Sequence, residues 1–201
     1  MSDQTLFVIK RNGRKQSVFP DKISARIRKL SYWLGHVDCD MVANRVIDKL
    51  VPGIDTWALD ELAADICYEL REIHPEYTTL AARIITSNLH KKTRKVFSEV
   101  VTEMREAPET AADIEPIYET VMANRNVLDE MIIYMRDYNI PYEELKKLQS
   151  THLRRINGSI CERPQHYIVR RLVSRYGPDI ERIEEQYHSI SSKPEAGFDA
   201  L

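Results

Sequence analysis

The stretch LFVIKRNGRKQSVFPDKI, residues 6–23, decides the N-terminal fold. The apolar run 6–9 and the stretch Ser17-Val18-Phe19 flank Asn12-Gly13, a pair that readily takes the positive φ angles of a two-residue type I′ turn. Pro20 ends the second run, and Asp21 can cap a helix that follows. This stretch therefore predicts a β-hairpin leading into a helix.

Beyond the hairpin, apolar residues recur at the spacing of amphipathic helices. The first helix is predicted over 22–34, a second follows Asp40, and a third begins with Thr56 as its N-cap. A long fourth helix is predicted over 76–104, although polar residues interrupt its apolar face near Asn88. The first hundred residues therefore predict a hairpin covered by four helices.

The second half of the chain has a different pattern. Between Thr102 and Glu130 there are two arginines and eight acidic residues, and Pro108 and Pro116 break the periodicity, which favours a boundary region rather than a core element. A turn is predicted at Asn157-Gly158. Further helices are predicted over 115–136, 142–153, 163–175 and 179–187.

These elements predict an α+β fold that is mostly α, with an N-terminal β-hairpin and four helices followed by a second small helical segment. Four regions are predicted: a globular domain over 1–101, an acidic boundary region over 102–130, a helical segment over 131–187 and a disordered tail over 188–201.

Composition excludes several classes of protein. The 201 residues include 29 Lys and Arg against 31 Asp and Glu, a net charge of −2 that argues against nucleic-acid binding. No apolar run approaches the roughly 18 to 20 residues of a membrane span and no signal peptide is visible, so we expect a soluble cytoplasmic protein without a membrane partner. The three cysteines form no Cys-x-x-Cys pair, and the six histidines are scattered, so no metal site is predicted.

Known catalytic and phosphate-binding motifs are also missing. The sequence has no Gly-x4-Gly-Lys-[Ser/Thr], Gly-x-Gly-x-x-Gly, His-Glu-x-x-His or Gly-x-Ser-x-Gly pattern. Cys39, Cys67 and Cys161 are predicted to be reduced and structural, because no histidine is placed beside them by the pattern. We therefore predict no catalytic residues.

A cluster of cations covers the predicted hairpin and the start of the first helix. Its members are Lys10, Arg11, Arg14, Lys15 and Lys22, and Asp21 is the only acid between the first and the last of them. Helix N-termini attract phosphates through free N–H groups and the helix dipole, which disfavours a lysine in the first turn unless an anion is nearby. The alternative is a solvated hairpin tip.

Two further places carry candidate ligand contacts. Thr56 and Asp60 lie in the first turns of the third helix, where a carboxylate could accept a hydrogen bond from a sugar hydroxyl or a base. On the fourth helix Lys91 and Arg94 share a face. Taken alone, these residues also fit a helix cap, a dipole partner and an exposed basic stripe.

Several blocks of sequence, in this order, resemble the ATP-cone at the N-terminus of eukaryotic-type class I ribonucleotide reductase large subunits. These blocks are VIKRNGR (8–14), FPDKI (19–23), GIDT (53–56), HPEY (74–77), LAARI (80–84) and SNLHK (87–91). The resemblance continues in IIYMRDY (132–138), ING (156–158) and ERPQH (162–166), which are similar to the helical segment that precedes the reductase barrel. It identifies residues 1–101 as an ATP-cone.

The resemblance implies an effector and a site. In that family the cone binds ATP or dATP, with or without Mg²⁺, and sets the overall activity of the reductase. By resemblance, Lys10, Arg11 and Lys22 hold phosphates, and Lys91 and Arg94 close the phosphate side. The nucleotide is lined by Gln16, Ser17, Val18, Phe19, Pro20 and Asp21, and it contacts Thr56 and Asp60.

The resemblance also implies partners and a limit. The partners are an adenine nucleotide and other reductase cones, in homo- or hetero-oligomers, and the process is deoxyribonucleotide biosynthesis. The cysteines of the reductase barrel have no counterpart in this sequence, so we expect the chain alone to be inactive as an enzyme. Gln16 and Ser17 replace the acid and base usual in the family, and Pro141 to Leu145 replace its Phe-Gly-Phe stretch.

Two alternatives remain open. A cone-and-helix module could dock on a full-length reductase without any dependence on nucleotide. Transcriptional repressors that sense nucleotides also use such a cone, but they place a Cys-x-x-Cys zinc ribbon before it, and this sequence has no such pair.

Overall fold

The computed structural model describes residues 7–193 and Phe198, and it forms two compact units, Met1–Asn88 and Leu89–Leu201. The predicted class is confirmed: the chain is mostly α, with an N-terminal hairpin. Among the described residues, no helix combines the length and the apolar character needed to cross a lipid bilayer. The predicted tail over 188–201 begins inside a helix, and its residues 194–197 and 199–201 lie outside the described part.

The first unit combines a small sheet with four helices. Its sheet has the order β2-β1-β3, in which Val8 of β1 pairs with Gln16 antiparallel and with Ile54 parallel. The apolar core includes Ile27, Val46 and Ile66, all at most 1% exposed. The elements are β1 Phe7–Ile9, β2 Lys15–Ser17, α1 Pro20–Leu30, α2 Cys39–Asp48, β3 Ile54–Asp55, α3 Thr56–Glu69, a 3₁₀ turn Leu70–Glu72 and α4 Glu76–Lys92.

The hairpin turn differs from the predicted type I′ turn. Only Gly13 has a positive φ, 76°, whereas Asn12 does not. The Gly13 N–H donates to the Lys10 carbonyl at 2.8 Å, and the Lys10 N–H donates to the Arg14 carbonyl at 2.9 Å. This is the pattern of a three-residue loop, a type I turn closed by a left-handed glycine, and it places Arg11 at the tip.

Helix α1 ends at Leu30, not at residue 34 as predicted. The Arg83 guanidinium donates to the Leu30 carbonyl at 3.2 Å and to the Tyr32 carbonyl at 2.6 Å, and it lies 3.8 Å from the centre of the Tyr32 ring. An arginine from α4 thus satisfies the carbonyls that the end of α1 leaves open, and Trp33 then takes a positive φ of 61°. Periodicity cannot show a cap that comes from a distant helix.

Helix α3 begins at Thr56, whereas the sequence predicts Thr56 as the N-cap that precedes the helix. Thr56 is its first helical residue, and the N-cap is Asp55, whose side chain makes no capping hydrogen bond. Asp55 also pairs with Ile9 in the sheet, so the backbone keeps its strand conformation up to the residue before the helix. The prediction of Thr56 as the N-cap is therefore wrong.

The second unit contains most of the remaining helices. Glu162 and Arg170 form a buried ion pair at 2.7 Å. A short hairpin turns at Asn157 and Gly158, both with positive φ, the type I′ geometry typical of an Asn-Gly pair. The elements are α5 Phe97–Glu106, α6 Ala111–Ala123, α7 Arg125–Glu130, a 3₁₀ segment Tyr134–Asn139, α8 Tyr142–Lys147, a π turn Leu148–His152, β4 Arg155–Ile156, β5 Ser159–Ile160, α9 Pro164–Tyr176 and α10 Ile180–Ser191.

The long helix predicted over 76–104 is two helices, α4 and α5. Within the second unit, the Arg163 guanidinium donates to the His90 carbonyl at 3.1 Å and to the Thr93 carbonyl at 3.0 Å. It also donates to the Thr93 hydroxyl at 3.0 Å. Arg163 therefore caps the carboxyl end of α4, since free carbonyls at a helix end are stabilised by a cation.

The region predicted as an acidic boundary forms helices with buried faces. Ile114 and Val121 of α6 and Leu128 of α7 are all fully buried. Asp129 accepts the backbone N–H of Ser98 at 2.8 Å and so caps the start of α5. Pro116 lies inside α6, whereas Pro108 lies in the turn between α5 and α6, and the compact units divide at Asn88 and Leu89, well before residue 101.

Gly53 provides a test of the contact between β1 and β3. Its φ is +84°, its N–H donates to the Phe7 carbonyl at 2.8 Å, and an added Cβ would lie 3.4 Å from the Phe7 ring. We expect Gly53→Ala to lower the free energy of unfolding by about 1–2 kcal/mol, because L side chains disfavour this conformation. The measurement is urea unfolding followed by circular dichroism.

Gly35→Ala is the matched control. Gly35 lies in the loop after α1, its φ is not positive, and an added Cβ would meet nothing within 4 Å. We expect a change within about 0.5 kcal/mol. Equal effects of the two substitutions would contradict the role assigned to Gly53.

Candidate functional site

The cations of the hairpin lie on the surface of the first unit. The side chains of Lys10, Arg14 and Lys22 have no acidic partner among the described residues. Lys22 lies 4.6 Å from the centre of the Phe19 ring, and Lys15 lies 5.1 Å from that of Phe7. These aromatic contacts orient the ammonium groups without neutralising them, so the positive charge remains available to an anion.

Asn88 connects the hairpin to helix α3. It is fully buried, and its Oδ1 accepts a hydrogen bond of 2.6 Å from Arg11. Its Nδ2 donates to the Trp57 carbonyl at 3.0 Å and to Glu61 Oε1 at 2.8 Å. Because a buried amide is costly unless its hydrogen bonds are made, Asn88 holds the hairpin tip and the first turns of α3 together.

A second polar cluster joins α1, α3 and α4. Arg26 donates to both carboxylate oxygens of Asp60, at 3.2 and 3.3 Å, and to the Ser87 hydroxyl at 2.9 Å. The Asp60 side chain is 11% exposed. The ion pair fixes the orientation of the Asp60 carboxylate.

The segment from Gln16 to Asp21 leads from β2 into α1. Gln16 and Val18 are half-buried, whereas Ser17, Pro20 and Asp21 are exposed. Phe19 is 49% exposed and is the N-cap of α1, but it cannot accept a hydrogen bond with its side chain. Thr56, at the start of α3, is half-buried. Neither α1 nor α3 has a side-chain cap at its N-terminus, so backbone N–H groups remain available there.

Lys91 and Arg94 belong to the second unit. Both line a cavity of about 580 Å³. Arg94 donates to Glu103 at 3.0 Å and lies 3.8 Å from Glu99, so carboxylates already balance its charge. The other lining residues are Lys92, Thr93, Glu103, Ile156, Asn157, Ser159, Ile160 and Cys161.

Sequence reasoning missed two residues of this site, Arg26 and Glu61, and the central role of Asn88. The polar interruption near Asn88 was the available signal, since a polar residue on the apolar face of a helix is either buried with partners or marks a break. No sequence signal pointed to Arg26 or Glu61, because charged residues at such helix positions are usually solvated.

The cysteines are poor nucleophiles here. Burial raises the pKa of the Cys67 thiol to about 12, and burial also raises the pKa of Cys161 to about 12. Both side chains therefore stay protonated at neutral pH, and a thiolate is the form that reacts. The chemistry of the site lies in charge and hydrogen bonding.

The hairpin, the four helices and the cation cluster define a known class of domain. Residues 6–92 match the ATP cone domain. The match confirms the resemblance of the first part of the chain and ends close to the end of α4.

The chain as a whole is similar to the N-terminal part of eukaryotic-type ribonucleoside-diphosphate reductase large subunits. It is 41% identical over 194 residues to large chain 2 of Saccharomyces cerevisiae, covering 92% of this chain and 22% of that protein. Against the large subunit of Caenorhabditis elegans it is 43% identical over 195 residues, covering 93% and 25%. The vaccinia virus large subunit is 41% identical over 197 residues, covering 94% and 25%. The chain thus spans about a quarter of the length of these relatives.

Asn88→Ala tests the connection between the hairpin and α3. The substitution leaves Arg11, Glu61 and the Trp57 carbonyl without this partner, and we expect the free energy of unfolding to fall by about 1–3 kcal/mol. Asn44→Ala, on the exposed side of α2, is the control and should change it by less than about 0.5 kcal/mol. A stability loss no larger than that of the control would show that the buried amide does not hold the site together.

Proposed function

We propose that the chain is an allosteric regulatory segment that binds ATP or dATP and belongs to a ribonucleoside-diphosphate reductase large subunit. The support is the ATP-cone over residues 6–92 and the similarity to reductase large subunits along nearly the whole chain. The process served is deoxyribonucleotide synthesis, and the compartment is the cytoplasm. Reduction of ribonucleotides is the activity of the relatives, and this segment regulates it.

The observation that carries this proposal is the hydrogen bond from Arg11 to buried Asn88. It ties the hairpin tip to the first turns of α3. Lys10 and Lys22, which have no acidic partner in the described part of the chain, thus belong to the same unit as two helix N-termini without a side-chain cap from their N-cap residues. A triphosphate carries about four negative charges, which lysine, arginine and free N–H groups can balance without a glycine-rich loop.

In this proposal each part of the nucleotide has its own contacts. Lys10, Arg11 and Lys22 bind phosphates, and the segment 16–21 lines the nucleotide, with the exposed Phe19 ring offering a surface for the adenine. The Thr56 hydroxyl donates or accepts a hydrogen bond with the sugar or base, and the oriented Asp60 carboxylate accepts one. Mg²⁺, where present, accompanies the triphosphate.

Lys91 and Arg94, which belong to the second unit, stay a prediction as phosphate contacts, and the two cations are not equivalent. Arg94 already pairs with Glu103 and Glu99, so its contribution to an anion is smaller than that of Lys10 or Lys22. A salt-bridged guanidinium must release a carboxylate before it can bind a phosphate.

Regulation requires that ATP and dATP favour different assembly states. The two nucleotides differ by one hydroxyl, which supplies about 1–2 kcal/mol, enough for a bias of about 5- to 30-fold. The proposed partners are therefore other cones of the same or a related large subunit, whose association the nucleotide shifts.

A second candidate function is a docking module that acts without nucleotide. It is favoured by Trp33, which is 94% exposed in the loop between α1 and α2. An exposed tryptophan is the kind of side chain that anchors protein interfaces.

Lys10→Ala combined with Lys22→Ala tests the phosphate contacts. We expect at least a tenfold loss of affinity for ATP and dATP in isothermal titration, because two unpaired cations are removed. The midpoint of thermal unfolding should stay nearly unchanged, since neither lysine has an acidic partner among the described residues. GTP, titrated against the unaltered chain, reports on selection of the base.

The matched control removes two lysines elsewhere, Lys29→Ala with Lys49→Ala, and should leave nucleotide affinity within about twofold. Equal heats for ATP, dATP and GTP, or no heat for any of them, would remove the proposed function. A large drop in stability of the Lys10 and Lys22 variant would instead assign these lysines a structural role.

Sedimentation of the chain with and without dATP separates the two candidate functions. Nucleotide-dependent association predicts a change in particle size on adding dATP, because the ligand favours one assembly state. A docking module predicts the same size, and the same recovery of a full-length reductase in a pulldown, at every nucleotide concentration. Trp33→Ala should then weaken the pulldown without altering nucleotide binding.

A further inference from the structure

Two histidines and a glutamate come together at the surface of the first unit, outside the cation cluster. One ligand atom from each of His36, His74 and Glu76 lies within 4.8 Å of the other two. His36 Nδ1 is 3.3 Å from Glu76 Oε1, and His74 Nδ1 is 4.0 Å from Glu76 Oε2. The imidazole rings stack, with their centres 4.2 Å apart and their planes at 24°.

The three residues come from two places in the chain, since His74 and Glu76 are only two residues apart. His36 lies in the loop between α1 and α2, His74 follows the 3₁₀ turn after α3, and Glu76 is the first residue of α4. Asn88 lies twelve residues further along α4, about 18 Å away at the rise of an α-helix. The cluster is therefore separate from the proposed nucleotide contacts.

The charge balance of the cluster favours a cation. In the described part of the chain, Glu76 has no Lys or Arg partner, and the charges acting on it are those of the two histidines. A hydrogen bond of 2.7 Å from the His36 backbone N–H lowers the pKa of the Glu76 carboxyl, which is therefore ionised at neutral pH.

Spacing and chemistry suit a divalent transition-metal ion. Bonds of about 2.0–2.2 Å at tetrahedral angles place neighbouring ligand atoms about 3.3–3.6 Å apart. The present distances are 3.3 and 4.0 Å, and the side chains of His36, His74 and Glu76 are 68%, 31% and 24% exposed, which leaves them room to turn. Imidazole nitrogen with one carboxylate is a ligand set of Zn²⁺, whereas Mg²⁺ prefers oxygen ligands.

We propose that His36, His74 and Glu76 form a surface site for Zn²⁺, with water completing the coordination. The site joins the loop between α1 and α2 to the start of α4. Binding displaces any proton on the ligand nitrogens, and it also replaces the weak hydrogen bond of 3.3 Å that His74 Nδ1 accepts from the Glu76 N–H.

The test is isothermal titration of ZnCl₂ into the untagged, EDTA-treated full chain at pH 7.5 without nucleotide. Cys39→Ser and Cys161→Ser provide the background, so that accessible thiols do not compete for zinc. We expect one zinc per chain, a higher midpoint of thermal unfolding in its presence, and no heat from MgCl₂.

His36→Asn and His74→Asn should each weaken zinc binding at least tenfold. Glu76→Gln should do the same while keeping an oxygen that accepts the His36 N–H, which separates metal binding from a structural hydrogen bond. His188→Asn is the matched control, because His188 lies 3.9 Å from Glu184 as a single histidine beside a carboxylate, and it should leave zinc affinity unchanged.

Absence of zinc binding, or binding that survives His36→Asn and Glu76→Gln, would overturn the proposal and leave a hydrogen-bonded contact. The stability of each variant is checked by its melting curve without metal. Affinity for ATP should be unaffected by His36→Asn. The zinc titration therefore tests the metal site, and the ATP titration tests the nucleotide site independently.

Discussion

The buried amide of Asn88 is the constraint on which the arrangement of the first unit depends. A primary amide without contact to water needs partners for both its oxygen and its nitrogen, and these come from Arg11, Glu61 and the Trp57 carbonyl. The hairpin has strands of only three residues, too short to fix its own position. Its tip is therefore placed by Arg11 and Asn88, next to the start of α3.

The cations of the first unit have two different roles. Arg26 donates hydrogen bonds to Asp60 and Ser87, and these contacts orient the Asp60 carboxylate. Lys10 and Lys22 keep their charge, because no acidic side chain of the described residues pairs with them. Net charge is near zero for the whole chain, yet a local positive surface exists because these cations are separated from the acids.

Sequence patterns predict local features well and long-range contacts poorly. The Asn12-Gly13 pair between apolar residues predicted the hairpin, and helical periodicity predicted apolar faces such as Ile23, Ile27 and Leu30 of α1, which are buried. The ends of α1 and α4 could not be predicted, because Arg83 and Arg163 cap them from more than fifty residues away. An Asn-Gly pair does not by itself determine the type of turn, because Asn157-Gly158 forms a type I′ turn whereas Asn12-Gly13 lies in a longer loop.

The two ends of α4 can affect each other only through contacts that have two arrangements. Glu76 at its start binds the loop of His36, and Asn88 near its other end binds the hairpin and α3. Hydrogen bonds of a buried amide are either made or lost, since a half-made one leaves a desolvated polar group. An effector at the hairpin would therefore act by making or breaking the Arg11 contact, and a cation bound at Glu76 would alter the effector's affinity only if it changed that same equilibrium.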